Sequence, residues 1–191
     1  MDYETSIILN RKQIRLISKL FRRMFKIRTI LFPVMKILER LVIKFDKNLY
    51  YVVEEDEMFE KNVMAALVPE ENDFYCIRIR QSVYDKALAG DRASLGYICH
   101  EMCHFFLIHV MGVGPKLYVA ADNLVYARTI DDNNTPAYKS MEWQAKALCG
   151  EVMIPYERCQ NYSLTDLIEK TSSSTEQAKY FLNTVLKGDD D

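Results

Sequence analysis

Residues 100–104 read His100-Glu101-Met102-Cys103-His104, the segment of the chain best suited to chemistry. On a helix, histidines four apart project from one face, about 40° apart and roughly one turn along the axis, so both imidazoles can reach one tetrahedral zinc ion. Glu101 lies about 100° round from His100, within reach of a water at the same metal. The chain has only 3 His in 191 residues, and that composition supplies roughly 0.003 such motifs by chance. A catalytic zinc site needs a third protein ligand and one open position. A third histidine six residues beyond His104 is excluded, because Val110 stands there. His109, five residues beyond, falls about 140° round the helix and faces away from the metal side.

The thiols are the competing donors. Cys99 and Cys103 each precede a motif histidine and share a helix face about 100° from the ligands, where buried, small and apolar is the expected role. If either bound zinc, the ion would be structural. Cys76, Cys149 and Cys159 show no C-x-x-C spacing, and an odd count of 5 argues against a secreted disulfide framework.

A second segment, Glu142-Trp-Gln-Ala-Lys-Ala-Leu-Cys-Gly-Glu-Val-Met-Ile-Pro155, follows on a separate helix. Alone, a glutamate at a helix start is ordinary dipole decoration. Taken with residues 100–104, the segment resembles the ImmA/IrrE-type zinc metallopeptidases, whose active helix is followed by one of the form E-x-x-A-N-x-F-A-x-x-L-L-M-P. Glu142, Ala145, Leu148, Cys149, Val152, Met153 and Pro155 fall in that register. Upstream, Ile79, Tyr84, Ala87 and Gly90-Asp91 resemble the family's lead-in to its active helix. The likeness is strong over about residues 77–155, weaker over Ser163–Leu186, and faint before residue 60. Lys146 stands where the family has Asn, and a cation one turn from Glu142 would compete for its carboxylate.

The resemblance implies a zincin-like fold and one zinc per chain, held by His100, His104 and Glu142. It implies an endopeptidase of the bacterial cytoplasm that cleaves a helix-turn-helix repressor of a mobile element or phage. Glu101 would be the general base and then acid. A developing oxyanion needs another donor, for which Tyr156, Tyr84, Tyr97 and His109 are candidates. Glu151, nine residues beyond Glu142 on the same helix, lies either close behind the ligands or in solvent. The long interval between His104 and Glu142 implies an enlarged loop or hairpin over residues 116–137, near the cleft.

The rest of the chain must position these groups. Hydrophobic residues make up 49% and charged residues 27%, the balance of a folded domain. The net charge of −2 is a cancellation: residues 1–50 hold 12 Lys+Arg against 4 Asp+Glu, and residues 51–191 hold 13 against 23. The basic residues of 11–28 interleave with Ile14, Ile17, Leu20, Phe21, Met24 and Phe25 at helical spacing. Such a helix buries its apolar stripe with its charges in water. It could instead meet an anionic membrane surface, a nucleic acid, an acidic partner, or the acidic remainder of this chain. A non-catalytic zinc-stabilised module, binding a repressor or DNA through these basic helices, is therefore the alternative to an enzyme; nucleic acid is the less favoured partner.

The polar start of the chain and the absence of a long apolar run predict no signal peptide, no integral membrane association and a cytoplasmic location. Pro33 separates a first helix from a second over Val34–Lys44. Strands are predicted at Leu49–Val53, Val63–Val68 and Phe74–Arg80, the last two forming a hairpin. Helices are predicted at Val83–Leu88, at Arg92–Val110 behind an Asp91 cap, at Ser140–Val152, at Ser163–Lys170 and at Thr175–Leu186. A turn is predicted at Asp131–Pro136. The expected architecture is α+β: a basic helical segment (1–48), a metallopeptidase core with a small sheet beside the active helix (49–159), and C-terminal helices with an acidic tail (160–191). Oligomeric state is not encoded in any of these features.

Overall fold

The computed structural model of the chain describes residues 3–120, 123–126 and 137–188; the turn predicted at 131–136 lies outside them. Its architecture is α+β. The helices are α1 (Arg11–Met24), α2 (Val34–Lys44), α3 (Gln81–Leu88), α4 (Arg92–Phe105), α5 (Met141–Met153), α6 (Tyr156–Cys159), α7 (Leu164–Lys170) and α8 (Thr175–Tyr180). The strands are β1 (Leu49–Glu54), β2 (Ala65–Pro69), β3 (Tyr75–Arg80), β4 (Leu117–Ala120) and β5 (Asn123–Tyr126). None of the described helices is long and apolar enough to cross a membrane.

Short polar caps set the helix starts. Asp91 accepts from the Ser94 amide at 2.8 Å, and Ser140 accepts from the Trp143 amide at 2.9 Å. Asn10 with Gln13, Ser163 with Asp166, and Ser174 with Gln177 each close a reciprocal capping box. The helix expected to run to Val110 changes character after Phe105. Phe106–Val110 is a π turn, in which the Met111 amide bonds the Phe106 carbonyl at 3.1 Å. A second π turn, Phe181–Val185, extends α8 in the same way.

The main sheet has the order β1-β3-β2. β2 and β3 form the expected hairpin, turned through Asn72 and Asp73 at φ 57° and 58°, and β1 joins β3 in parallel. That leaves β2 at an edge. The Arg80 amide bonds the Met64 carbonyl, and the Glu70 amide the Phe74 carbonyl. In this register Ala66 and Val68 also face β3, while Ala65 and Leu67 direct their backbone groups to the free edge. A second antiparallel pair, β4 with β5, occupies part of the interval expected to hold a loop or hairpin.

Helix α4 lies at the centre, with β2, β3, α2 and α3 against some faces and α5 against another; α1 packs along α5. Phe21 of α1 stacks on Phe106 at 4.5 Å between centroids. Both side chains are fully buried, worth about 2–3 kcal/mol each. Helices α1 and α2 thus share one hydrophobic core with α4 and α5. Leu20, expected on the apolar stripe of α1, is 42% exposed instead. The C-terminal helices enclose a smaller cluster around Ile154, Cys159, Leu167 and Phe181.

The basic charge of α1 is partly used inside the chain. Arg22 is buried and donates to the carbonyls of Val152 at 2.5 Å, Ile30 at 3.1 Å and Thr29. Arg15 pairs with Glu151 at 2.9 Å, and Lys19 pairs with Glu157. The acidic remainder of the chain is a partner that these ion pairs show directly.

Candidate metal centre

Helix α4 carries His100 and His104 one turn apart, and the first turn of α5 carries Glu142. The Nε2 atoms of the two histidines lie 3.0 Å apart. Glu142 Oε2 is 3.2 Å from His100 Nε2, and Glu142 Oε1 is 3.1 Å from His104 Nε2. Donors about 2.05 Å from a tetrahedral zinc ion lie about 3.3 Å from one another. The two nitrogens are close to that spacing, but they meet different oxygens of Glu142; taking one atom per residue, the three donors form a triangle whose atoms lie within 4.8 Å of one another. Two imidazole nitrogens and a carboxylate form a donor set that suits zinc, and three protein donors leave a fourth position open. Among the described residues no other group of three side chains is gathered in this way.

Several contacts hold the triangle. Ser140 caps α5 two residues before Glu142. The N-terminal residues tie down that approach: the Met141 amide bonds the Tyr3 carbonyl at 3.0 Å, and the Thr5 amide bonds the Lys139 carbonyl at 2.8 Å. On the other side, the Lys116 amide bonds the Glu4 carbonyl at 2.7 Å. Residues 3–6 thus bridge the exit from α4 to the start of α5. Buried Gln144 adds bonds from Nε2 to the Ile7 and Tyr138 carbonyls. Nothing in the sequence pattern marks residues 3–7 for this role, because they act through backbone groups.

Glu101 follows His100 and is 9% exposed. Its Oε2 accepts from the Leu67 amide at 2.7 Å, on the free edge of β2. Burial raises its pKa above the ordinary carboxylate value, against the pull of His100 and His104. Glu142 behaves oppositely: burial opposes its charge, but hydrogen bonds from both histidines outweigh it and hold its pKa far below normal. Burial likewise disfavours a charged His100, yet Glu142 and Glu101 hold its pKa above normal. Leu67 is a contact the sequence did not reveal, since only the placement of β2 against α4 brings it there.

The remaining predicted residues are dispersed. His109 stacks on Phe105 at 5.0 Å and meets Phe45 and Tyr75 edge-on, so it sits in an aromatic cluster between α2 and β3. Tyr84 stacks on Tyr51 of β1, and its hydrogen bond is the main cause that pushes the Tyr51 phenol up to about 12. Tyr156 lies beneath the Arg15 guanidinium, 3.6 Å from its ring centre, and against Phe181 in the C-terminal cluster. Tyr97 is exposed, on the turn of α4 before Glu101, at the mouth of a cavity that His100 also lines. Glu151 is neither behind the ligands in contact with them nor in solvent: it is buried against Arg15. Cys99 and Cys103 are fully buried beside Cys149 of α5, and all five thiols are free. Lys146 is solvent-exposed, while the Glu142 carboxylate meets the two histidines.

No family model, curated protein or solved structure matches this chain.

Proposed function

We propose that the protein is a zinc-dependent endopeptidase with a zincin-like fold. His100, His104 and Glu142 would be its metal ligands, and Glu101 its general base and acid. The observation that carries this reading is the convergence from two helices of one donor atom from each of three side chains, within 4.8 Å of one another. When bound, zinc supplies Lewis acidity, lowering the pKa of water and polarising a carbonyl. Glu101 then has two tasks: to take a proton from water and to pass it to the leaving amine. The Leu67 amide holds Oε2 and so orients Oε1 for that transfer.

The free edge of β2 suggests how a polypeptide would lie. An extended segment pairing with the Ala65 amide and carbonyl and with the Leu67 carbonyl would be positioned alongside Glu101 by β-augmentation. The resemblance to ImmA/IrrE-type enzymes names the substrate class, a helix-turn-helix repressor of a mobile element or phage in a bacterial cytoplasm. The test is to incubate the protein with the repressor encoded nearest its gene, with and without chelator. Chelator-sensitive cleavage is expected. Glu101→Gln should bind one zinc per chain by elemental analysis yet cleave nothing, and a fully active Glu101→Gln protein would sink the mechanism.

A further inference from the structure

Beside His100, a cavity of about 700 Å3 opens between α4, α5 and α8. That volume suits a ligand well beyond a single water or ion. The cavity follows α4 from Arg92 to His100, eight residue steps, or about 12 Å along the helix. Its walls are largely apolar, with Trp143 and Ala147 of α5, Ile154 just beyond it, and Phe181 among the lining residues. Of the charged groups at the wall, Lys146 and Glu176 are solvent-exposed and the others have partners. Glu151 pairs with Arg15. Arg11 lies over the Trp143 ring and reaches the Tyr180 hydroxyl. Arg92 reaches the Ser173 carbonyl. The surface left for an occupant is mainly apolar.

Two glycines show that this space is kept open. Of the 6 glycines in the chain, Gly90, Gly112 and Gly188 sit at positive φ, and Gly114 lies in a loop. Only Gly96 and Gly150 are inside helices, and both line the cavity. Glycine weakens a helix interior relative to alanine, so a compensating role is expected. Close backbone approach is not that role: a Cβ on Gly150 would meet nothing within 4 Å, and one on Gly96 would meet only Gln177 Oε1 at 3.8 Å. What the missing side chains supply is width.

We propose that this cavity is a subsite for an apolar stretch of the substrate polypeptide, three to four residues long, on one side of the scissile bond. The length follows from 12 Å of wall at about 3.3 Å per extended residue. Its continuity with the reacting centre runs through His100, which belongs to both. The assignment of the occupant to a substrate rests on the peptidase reading above; the preference for an apolar peptide does not.

Trp143, the chain's single tryptophan, lines the cavity and reports its occupancy. Acetyl-Leu-Phe-Leu-amide and acetyl-Ser-Gly-Ser-amide are titrated into the protein in chelator, where nothing turns over, and Trp143 emission is followed. The apolar tripeptide should give a saturable change and the polar one none. Gly150→Leu should weaken the apolar peptide at least tenfold. Gly150→Ala should raise Tm by about 2–4 °C, showing that the position tolerates a side chain. No saturable response, an equal response to the polar peptide, or unchanged affinity in Gly150→Leu would overturn the subsite. Zinc stoichiometry is measured on chelator-free samples of the same proteins after added zinc. Lost peptide selectivity with zinc uptake intact overturns the subsite alone. Peptide selectivity retained without zinc uptake supports the subsite and overturns the peptidase reading.

Discussion

Zinc should act on this protein as a cross-link between two helices, and the size of that effect can be worked out. The histidine nitrogens already lie 3.0 Å apart against about 3.3 Å in a tetrahedral site, and each is 3.1–3.2 Å from one or the other oxygen of Glu142. The ion therefore enters with adjustment of side chains alone, chiefly the Glu142 carboxylate, and little binding energy is lost to rearrangement. A ligand that binds only the folded state stabilises it by RT ln(1 + [L]/Kd), about 4.1 kcal/mol at a thousandfold excess over Kd. For a chain of this size each kcal/mol moves Tm by about 2–4 °C, so zinc should raise Tm by about 8–16 °C. The 5 cysteines of the unfolded chain bind some zinc and place the rise toward the lower end. The assay is thermal unfolding after chelation, repeated with added zinc, with elemental analysis of each sample. Glu101→Gln should keep the whole shift, because its carboxylate is not a ligand. His104→Ala and Glu142→Ala should lose it. A Tm unaffected by zinc, or an equal rise in His104→Ala, would refute the ligand assignment.

Other expectations concern the scaffold. Arg22→Met leaves the Val152, Thr29 and Ile30 carbonyls without their charged donor and should cost about 3 kcal/mol or more; a urea midpoint within error of wild type would contradict this. Ser140→Ala removes the cap of α5 and should cost about 1 kcal/mol. Glu142 is in the turn it caps, so zinc affinity should fall as well, and calorimetry showing wild-type affinity would separate the cap from the site. For Glu151, burial outweighs Arg15 and raises the pKa above the ordinary 4.5. An acid with a raised folded pKa costs nothing below its unfolded pKa and destabilises progressively as pH rises through the folded value. Glu151→Gln lacks that titration, so its urea midpoint should gain on wild type as pH rises above the ordinary value of 4.5. A difference that stays constant or shrinks as pH rises would disprove the assignment.

The features legible in the sequence were local. The spacing of His100 and His104 sets their common face through helix geometry alone. The Asp91 cap, the start of α5 at Ser140 and the β2–β3 hairpin depend on residues within a few positions of one another. The third donor was different. Glu142 is 38 residues beyond His104, and only the resemblance singled it out; its approach to the histidines depends on α4 and α5 packing side by side. Tertiary structure alone decided the contacts that cross the chain. β1 joins β3 in parallel, so β2 is left as an edge and Leu67 meets Glu101. Residues 3–6 bridge the two ends of the long interval between α4 and α5. Arg15 and Arg22, read as part of a basic surface, bond instead to Glu151 and to backbone carbonyls. The cavity beside His100 exists only because α8 returns to face α4 and α5. Periodicity and capping are set by neighbours a few residues apart and can be read along the chain. These contacts join residues tens of positions apart, and their existence follows from which apolar faces the folded core buries together.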